Sequence, residues 1–149
     1  MILAWREPAT GAGEAMARTE HLPIYKATYD LCLHLDRVVR GFPRYHKYSV
    51  GADLREAARR SLRLVVRANS RREKAPVLLE LREELEELKA LLRLSHDVKA
   101  LAKLASFQHA VTLVVEIARQ NEGWLKHQRS GHGQSRPARP EGLARPSAP

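Results

Sequence analysis

The residues with the clearest chemistry are arginines and lysines concentrated in one stretch of the chain. Twelve basic residues against three acidic ones lie between residues 37 and 74, an excess equal to the formal net charge of +9 of all 149 residues. Arginine presents a planar fork of N–H donors that grips phosphate oxygens in pairs, so this stretch predicts contact with a nucleic-acid backbone. The predicted nucleic-acid-binding residues are Arg37, Arg40, Arg44, Lys47, Arg55, Arg59, Arg60, Arg63, Arg67, Arg71, Arg72 and Lys74.

Five of these arginines recur at four-residue steps, at positions 55, 59, 63, 67 and 71. In a helix each step of four drifts by about 40°, so they predict a slanted ridge on the face away from the apolar stripe. The alternative is a solvated face, because arginine is a good helix former and glutamates between residues 80 and 87 of the same or another subunit would neutralise it. Anion binding is the favoured interpretation of this arginine ridge.

Two tyrosines alternate with basic residues just before the ridge. Tyr45 and Tyr48 are interleaved with Arg44 and Lys47. Rings beside cations can stack on unpaired bases. Tyrosines of this kind also wedge a loop against a helical core, and the sequence leaves both roles open.

Signatures of enzyme chemistry are weak in this chain. The contiguous Ser95, His96 and Asp97 do not predict a catalytic triad, because adjacent helical residues diverge by about 100°. There is no glycine-rich phosphate loop, H-E-x-x-H motif or paired Cys/His signature. We therefore expect a protein that is not an enzyme and holds neither metal nor cofactor.

One catalytic alternative concerns Arg40 and His46. Their spacing resembles the Arg-x(4 to 6)-His motif of HEPN-type ribonucleases, which are also helical bundles. The resemblance implies metal-independent RNA cleavage, with both residues acting at the 2′-hydroxyl and the scissile phosphate. Pro43 between them indicates a loop, and the spacing arises easily by chance in an arginine-rich chain.

Apolar residues at helical spacing divide the chain into four helices. The first is predicted over about 23–40, opened by Pro23 and ended by a left-handed Gly41 and by Pro43. The second is predicted over 50–69, with Ser49 as its N-cap after a polar loop at 44–48. Its predicted apolar stripe comprises Val50, Leu54, Ala57, Ala58, Ser61, Leu62, Val65, Val66 and Ala68.

The second half of the chain predicts two more helices. Leucines from 78 to 92 step by three and four, which predicts a helix from Pro76 to about Lys103 with a coiled-coil-like seam. A fourth helix is predicted from a Ser106 cap to Asn121 or Gly123, burying a set that consists of Phe107, Ala110, Val111, Val114, Val115 and Ile117. Short links between four helices favour an all-α, up-down-up-down bundle.

Composition predicts how the chain is organised around this bundle. Residues 1–20 show no sustained apolar period and are predicted to be a disordered extension; 21–127 form the bundle; 128–149 form a disordered Arg/Pro/Gly-rich tail. No apolar run reaches the roughly 20 residues of a membrane span. A single cysteine, Cys32, is typical of a reducing compartment, so we expect a cytoplasmic protein without a membrane partner.

Five short strings and one lysine occur in an ordered series over the four helices. They are LPIYK at residues 22–26, FPR at 42–44, KYSVG at 47–51, RANS at 67–70 with Lys74, and GWLK at 123–126. Together, over about residues 21–127, they resemble the accessory variability determinant (Avd) family of diversity-generating retroelements. That family is related to the four-helix-bundle proteins encoded in 23S rRNA intervening sequences.

The resemblance implies a barrel-shaped homopentamer of four-helix protomers, whose basic surface binds nucleic acid and the element's reverse transcriptase. It implies a non-catalytic role in copying a template RNA into mutagenised cDNA. The alternatives are a structural or RNA-binding protein of the intervening-sequence type, the metal-independent ribonuclease, and a structural oligomer whose ridge pairs with acidic neighbours. The sequence alone gives neither the subunit number nor the choice between RNA and DNA.

Overall fold

The computed structural model describes residues 19–134, where every regular element is a helix. The helices are α1 (Pro23–Arg40), α2 (Arg44–Lys47), α3 (Val50–Ser70), α4 (Ala75–Asp97) and α5 (Leu104–Gln134). The four long helices confirm the predicted all-α four-helix bundle. The short α2 lies within the segment predicted to be a loop, where Pro43 leads directly into one helical turn.

The long helices pack in a ring, with α1 against α3 and α5, and α4 against the same two helices. At each contact between successive long helices, residues late in one helix meet residues early in the next. Arg55 meets Asp36 whereas Asn69 meets Thr19, and His96 stacks on Phe107 near the α4–α5 link. Successive long helices are therefore antiparallel, as short links require.

Leucines of α4 and matching apolar residues of the other helices fill the core. Leu78, Leu81, Leu85, Leu88 and Leu92 are all buried, which confirms the seam predicted for this helix. The stripe of α3 differs from its prediction in one respect. Leu64 is buried, while Leu62 and Val66 are only partly buried and border the groove toward α1.

The first helix ends where predicted, but by a different mechanism. Gly41 has φ −87° and ψ −1°, in the right-handed region, so the left-handed glycine cap is wrong. The amides of Gly41 and Phe42 donate to the carbonyls of Val38 and Val39 in a tightened last turn. Pro43 then has no N–H to extend the helix, and disfavours helical backbone at the residue before it.

Ser49 is the N-cap residue of α3, as predicted, but its hydroxyl does not cap the helix. Its Oγ donates backward to the carbonyls of Tyr45 and His46, at 3.1 and 3.3 Å, and the start of α3 is fixed by close packing. Gly51 lies on the end of α1. A Cβ added there would come within 2.7 Å of Val39 Cγ1 and 3.1 Å of the His46 carbonyl oxygen.

The link between α4 and α5 corrects the predicted end of the third long helix. That helix ends at Asp97, not near Lys103, because Ala100 and Leu101 turn back and are buried against the core. Lys99 takes the left-handed backbone, with φ 63°. His96 Nδ1–H donates to the Leu101 carbonyl at 3.0 Å, and the Leu101 amide donates to the Ser95 carbonyl at 2.9 Å, so the turn is closed by hydrogen bonds on both sides.

The last helix is longer than predicted at both ends. It begins at Leu104, before Ser106, and continues through Asn121 and Gly123 to Gln134. Asn121 does not end the helix because its side chain is buried, with Nδ2 donating to the Leu78 carbonyl at 3.0 Å. Val115, predicted to be buried, is 52% exposed.

The two ends of the bundle reach into segments predicted to lie outside it. Thr19 is buried and its hydroxyl accepts from Asn69 Nδ2 at 2.6 Å, so contact with the bundle begins before residue 21. The helix α5 includes residues 128–134 of the predicted tail. The rest of both predicted appendages, 1–18 and 135–149, lies outside the described residues. In the described part, none of the helices combines the length and apolarity that a bilayer crossing requires.

Candidate nucleic-acid interface

The arginine ridge crosses the outer face of α3 obliquely, and Arg67 borders both a cleft toward α4 and a groove toward Tyr25 of α1. Arg55 Nε lies 3.5 Å from Asp36 on α1, whereas Arg67 Nη1 lies 3.7 Å from Glu80 on α4. This is the drift of about 40° per four residues that helical geometry predicts. Arg71 stands just beyond the helix as its C-cap, in extended backbone. The helix therefore carries four members of the ridge and the C-cap carries the fifth.

Two of the predicted binding residues share one carboxylate on α1. Arg40 Nη2 donates to Asp36 Oδ2 at 2.9 Å, and this hydrogen bond is the main reason that the pKa of Asp36 falls below its usual range. Arg55 approaches the other oxygen of the same carboxylate. The single carboxylate of Asp36 is therefore shared by two guanidinium groups, and the three side chains together keep a net charge of one positive unit.

Three arginines of α3 lie along the cleft between α3 and α4, two of them members of the arginine ridge. Arg63 Nη2 donates to Glu56 on its own helix at 2.7 Å, while Arg60 Nε lies 3.5 Å from Glu84. The cleft has a volume of about 270 Å³ and is lined by Arg60, Arg63, Leu64, Arg67, Glu80, Glu83, Glu84 and Glu87. The predicted neutralisation by acidic α4 residues thus takes place within one chain, at this cleft.

Glu84 differs from the other acids of the cleft in its burial. Its side chain is only 11% exposed. Burial raises the pKa of its carboxyl, and the charge of Arg60 opposes that rise. The Arg60 side chain is 51% exposed and lies between Glu84, at 3.5 Å, and Glu56, at 3.8 Å. Its charge is therefore partly neutralised by two carboxylates of its own chain.

Seven of the twelve predicted residues have no carboxylate within 4.0 Å among the residues that the structure describes, and six of these, all except Lys74, lie in two groups. One group lies on α2 and the end of α1, and the other on α3 and the turn that follows it. We call these six the unpaired cations: Arg37, Arg44, Lys47, Arg59, Arg71 and Arg72. An exposed cation without a protein partner keeps its full attraction for phosphate.

Lys74 has a structural role that its sequence position did not indicate. Its Nζ donates to the carbonyls of Ala68, Asn69 and Arg71 at 2.7 to 3.1 Å. It also lies 6.0 Å from the centre of the Trp124 ring. Burial lowers the pKa of this ammonium group. The lysine thus satisfies the last carbonyls of α3 and connects the turn to α5.

The two interleaved tyrosines are the most exposed of the large hydrophobic side chains in the described chain. Tyr45 is 85% exposed and Tyr48 is 74% exposed. Neither ring is wedged against the core, and Tyr45 makes an edge contact only with the neighbouring His46 ring, at 5.0 Å. Their rings are therefore accessible for stacking, beside Arg44 and Lys47.

The sequence elements considered for catalysis are engaged elsewhere. Arg40 binds Asp36, while the His46 ring contacts Tyr45. Ser95 Oγ donates to the Leu91 carbonyl and the His96 ring stacks on Phe107 at 4.5 Å, so these two neighbours point to different partners. The remaining member, Asp97, lies 3.8 Å from Arg93. These contacts assemble no acid–base pair.

Histidines occupy structural positions at the α1–α5 contact. His34 Nε2–H donates to the Ser106 carbonyl at 2.9 Å, and its ring meets His109 edge-on at 4.6 Å. Burial lowers the pKa of the His34 ring, which favours its neutral form at the contact between the two helices. In the described part of the chain no three His, Cys, Asp or Glu side chains are grouped as a metal site would need.

The sequence did not single out a groove between α1 and α3 that borders the ridge. It contains Tyr25, Leu62 and Val66 together with Arg63, Arg67, Ser70 and Arg71. Leu62 and Val66 are members of the predicted apolar stripe of the second helix, because a 3.6-residue period does not distinguish a core position from one at its edge. One sequence feature indicates an aromatic surface beside this groove: Tyr25 and Tyr29 are four residues apart on α1, and their rings stack with centres 5.9 Å apart.

Comparison with known proteins gives one match. A family model described as bAvd-like matches residues 22–128, which includes all four long helices except the end of the last. Searches of curated proteins and of solved structures found no match.

Proposed function

The chain belongs to the bAvd-like family, whose members are accessory variability determinant proteins of a non-catalytic type, and from this premise we propose that it binds nucleic acid and a reverse transcriptase. In this proposal it serves a diversity-generating retroelement in the cytoplasm. It holds template RNA and polymerase together while mutagenised cDNA is made, and it does no chemistry itself.

The observation that supports nucleic-acid binding best is the set of unpaired cations. The six unpaired cations of the basic stretch have no carboxylate partner among the described residues, and the five arginines at 40, 55, 60, 63 and 67 share only four carboxylates. A surface with this imbalance attracts a polyanion over a distance and releases the counterions of each phosphate it contacts. The exposed rings of Tyr45 and Tyr48 add stacking partners beside two of these cations.

We also propose that the protein acts as a homo-oligomer, with five subunits by family resemblance. Support comes from apolar side chains that the bundle leaves exposed, among them Leu33, Leu104 and Val115. Where such side chains form a continuous patch, they mark a contact between proteins. A ring of protomers would repeat the basic surface and bind one long RNA with the avidity of several linked sites.

The proposed role predicts a dependence of cDNA synthesis on this chain. The test is primer extension on the template RNA of a diversity-generating retroelement by that element's reverse transcriptase, with and without the purified full chain. We expect copurification of the two proteins and a clear increase in cDNA yield when the chain is added. Equal yields with and without the chain, together with no copurification, would contradict the proposal.

A further inference from the structure

A groove on the outer side of the α1–α3 contact combines an aromatic ring, apolar floor and cationic rim. Its volume is about 460 Å³. Tyr25 of α1 lines one side, and Leu62 and Val66 of α3 line the other. We call this the Tyr25 groove.

The apolar side chains that form the floor of the groove are not fully buried in the core. Leu64 occupies the buried position on α3, so Leu62 and Val66 remain partly accessible. Tyr25 is likewise only partly buried, and its ring stacks on that of Tyr29 with 24° between their planes. Tyr29 is an exposed residue. The groove thus opens beside a pair of nearly parallel rings.

The rim of the groove is cationic, with Arg63, Arg67 and Arg71 and no carboxylate among its lining residues. Arg71 is one of the unpaired cations. Arg63 and Arg67 have their partners, Glu56 and Glu80, at exposed positions. Exposed ion pairs contribute little, so these two guanidinium groups can exchange a carboxylate for a phosphate.

We infer that the Tyr25 groove binds an unpaired nucleobase of single-stranded nucleic acid, with the base against Tyr25 and the flanking phosphates on the arginine rim. The inference rests on the proposed function and adds the class of strand. A base in a duplex has both faces covered by its neighbours, whereas an unpaired base presents a face that an aromatic ring can stack on. The groove therefore favours single strands over duplexes.

Charge complementarity selects this occupant. Three arginines without a carboxylate in the lining attract an anion, while the ring and the two aliphatic side chains attract a flat apolar group. A nucleotide unites both features. An apolar helix from a second copy of the chain would bring no anion to the arginine rim and would leave Arg71 without a partner.

The test compares two substitutions at one position on the full chain. Tyr25→Leu keeps apolar volume and removes the ring, while Tyr25→Phe keeps the ring and removes the hydroxyl. Fluorescence anisotropy would measure affinity for a labelled single-stranded RNA and for the same sequence as a duplex. We expect Tyr25→Leu to lose between about fivefold and a hundredfold on the single strand and little on the duplex, the range typical of base–aromatic stacking. Tyr25→Phe should bind as the unchanged chain does.

Two results would overturn the inference. One is unchanged single-strand affinity in Tyr25→Leu, and the other is an equal loss on single strand and duplex, which would indicate a general structural effect. Should Tyr25→Leu fail to fold, Val66→Glu places a negative charge on the groove floor and must weaken single-strand binding more than duplex binding. The proposed function is separable from this test, because its failure would appear as no binding of either nucleic acid by the unchanged chain.

Discussion

Replacing Arg44, Arg59 and Arg71 together by glutamate is expected to weaken RNA binding by about a hundredfold. These three side chains are unpaired cations drawn from both groups, on α2, on α3 and at the α3 C-cap. Each lost contact costs up to about 1 kcal/mol at an exposed site, and the new carboxylate repels the phosphate besides. A total near 3 kcal/mol corresponds to about two orders of magnitude in Kd.

The matched control changes the same total charge at another place. Lys89, Arg93 and Arg119 lie on α4 and α5, outside the basic stretch, and their ion pairs are all exposed. Their replacement by glutamate is expected to leave most of the affinity intact. Anisotropy titrations with one RNA at one salt concentration compare the two triple variants, with circular dichroism to check helicity. Equal losses in both would show that binding follows net charge and not the unpaired cations.

Gly51→Val is expected to destabilise the bundle by about 3 kcal/mol, at the upper end of what overpacking costs. The added Cβ would meet Val39 Cγ1 at 2.7 Å, the His46 carbonyl oxygen at 3.1 Å and the Phe42 ring at 3.2 Å. Val39 is completely buried and stiff at χ1, and the carbonyl belongs to the backbone, so neither can move aside cheaply. Denaturant unfolding followed by circular dichroism measures the loss.

Gly123→Val supplies the comparison for that substitution. It makes the same chemical change within a long helix, but nothing lies within 4 Å of the added Cβ. An exposed substitution of this kind changes the free energy of unfolding by at most about 0.5 kcal/mol. If Gly51→Val were as stable as Gly123→Val, the close packing between α1 and the start of α3 would be wrong.

Periodicity predicted the long helices well because their stability comes from one continuous apolar face. The bounds of α1 match the prediction, and α3 differs by one residue at its end. Pro43 and Pro76 mark helix boundaries because proline has no backbone N–H and a fixed φ, and these properties do not depend on tertiary contacts. The links were predicted less well. The turn after Asp97 contains neither glycine nor proline and depends on burying Ala100 and Leu101, which only tertiary packing decides.

The same distinction applies to the interface. Spacing predicted the arginine ridge and its slant, because both follow from helical geometry alone. It did not predict which arginines face α4, so Arg60 and Arg67 were grouped with Arg59 although only Arg59 lacks a carboxylate partner in the described chain. Lys74 was predicted to contact phosphate because the sequence does not show the three carbonyls that surround its ammonium group.

The salt dependence of RNA binding by the unchanged full chain tests the central proposal most directly. If each of the six unpaired cations neutralises one phosphate, log K falls linearly with log salt at a slope of about −4, since each contact on a single strand contributes about 0.7. We predict that slope together with affinity still measurable at physiological salt. Binding that disappears below physiological salt, or a slope near zero, would contradict a multi-phosphate interface and favour a purely structural bundle.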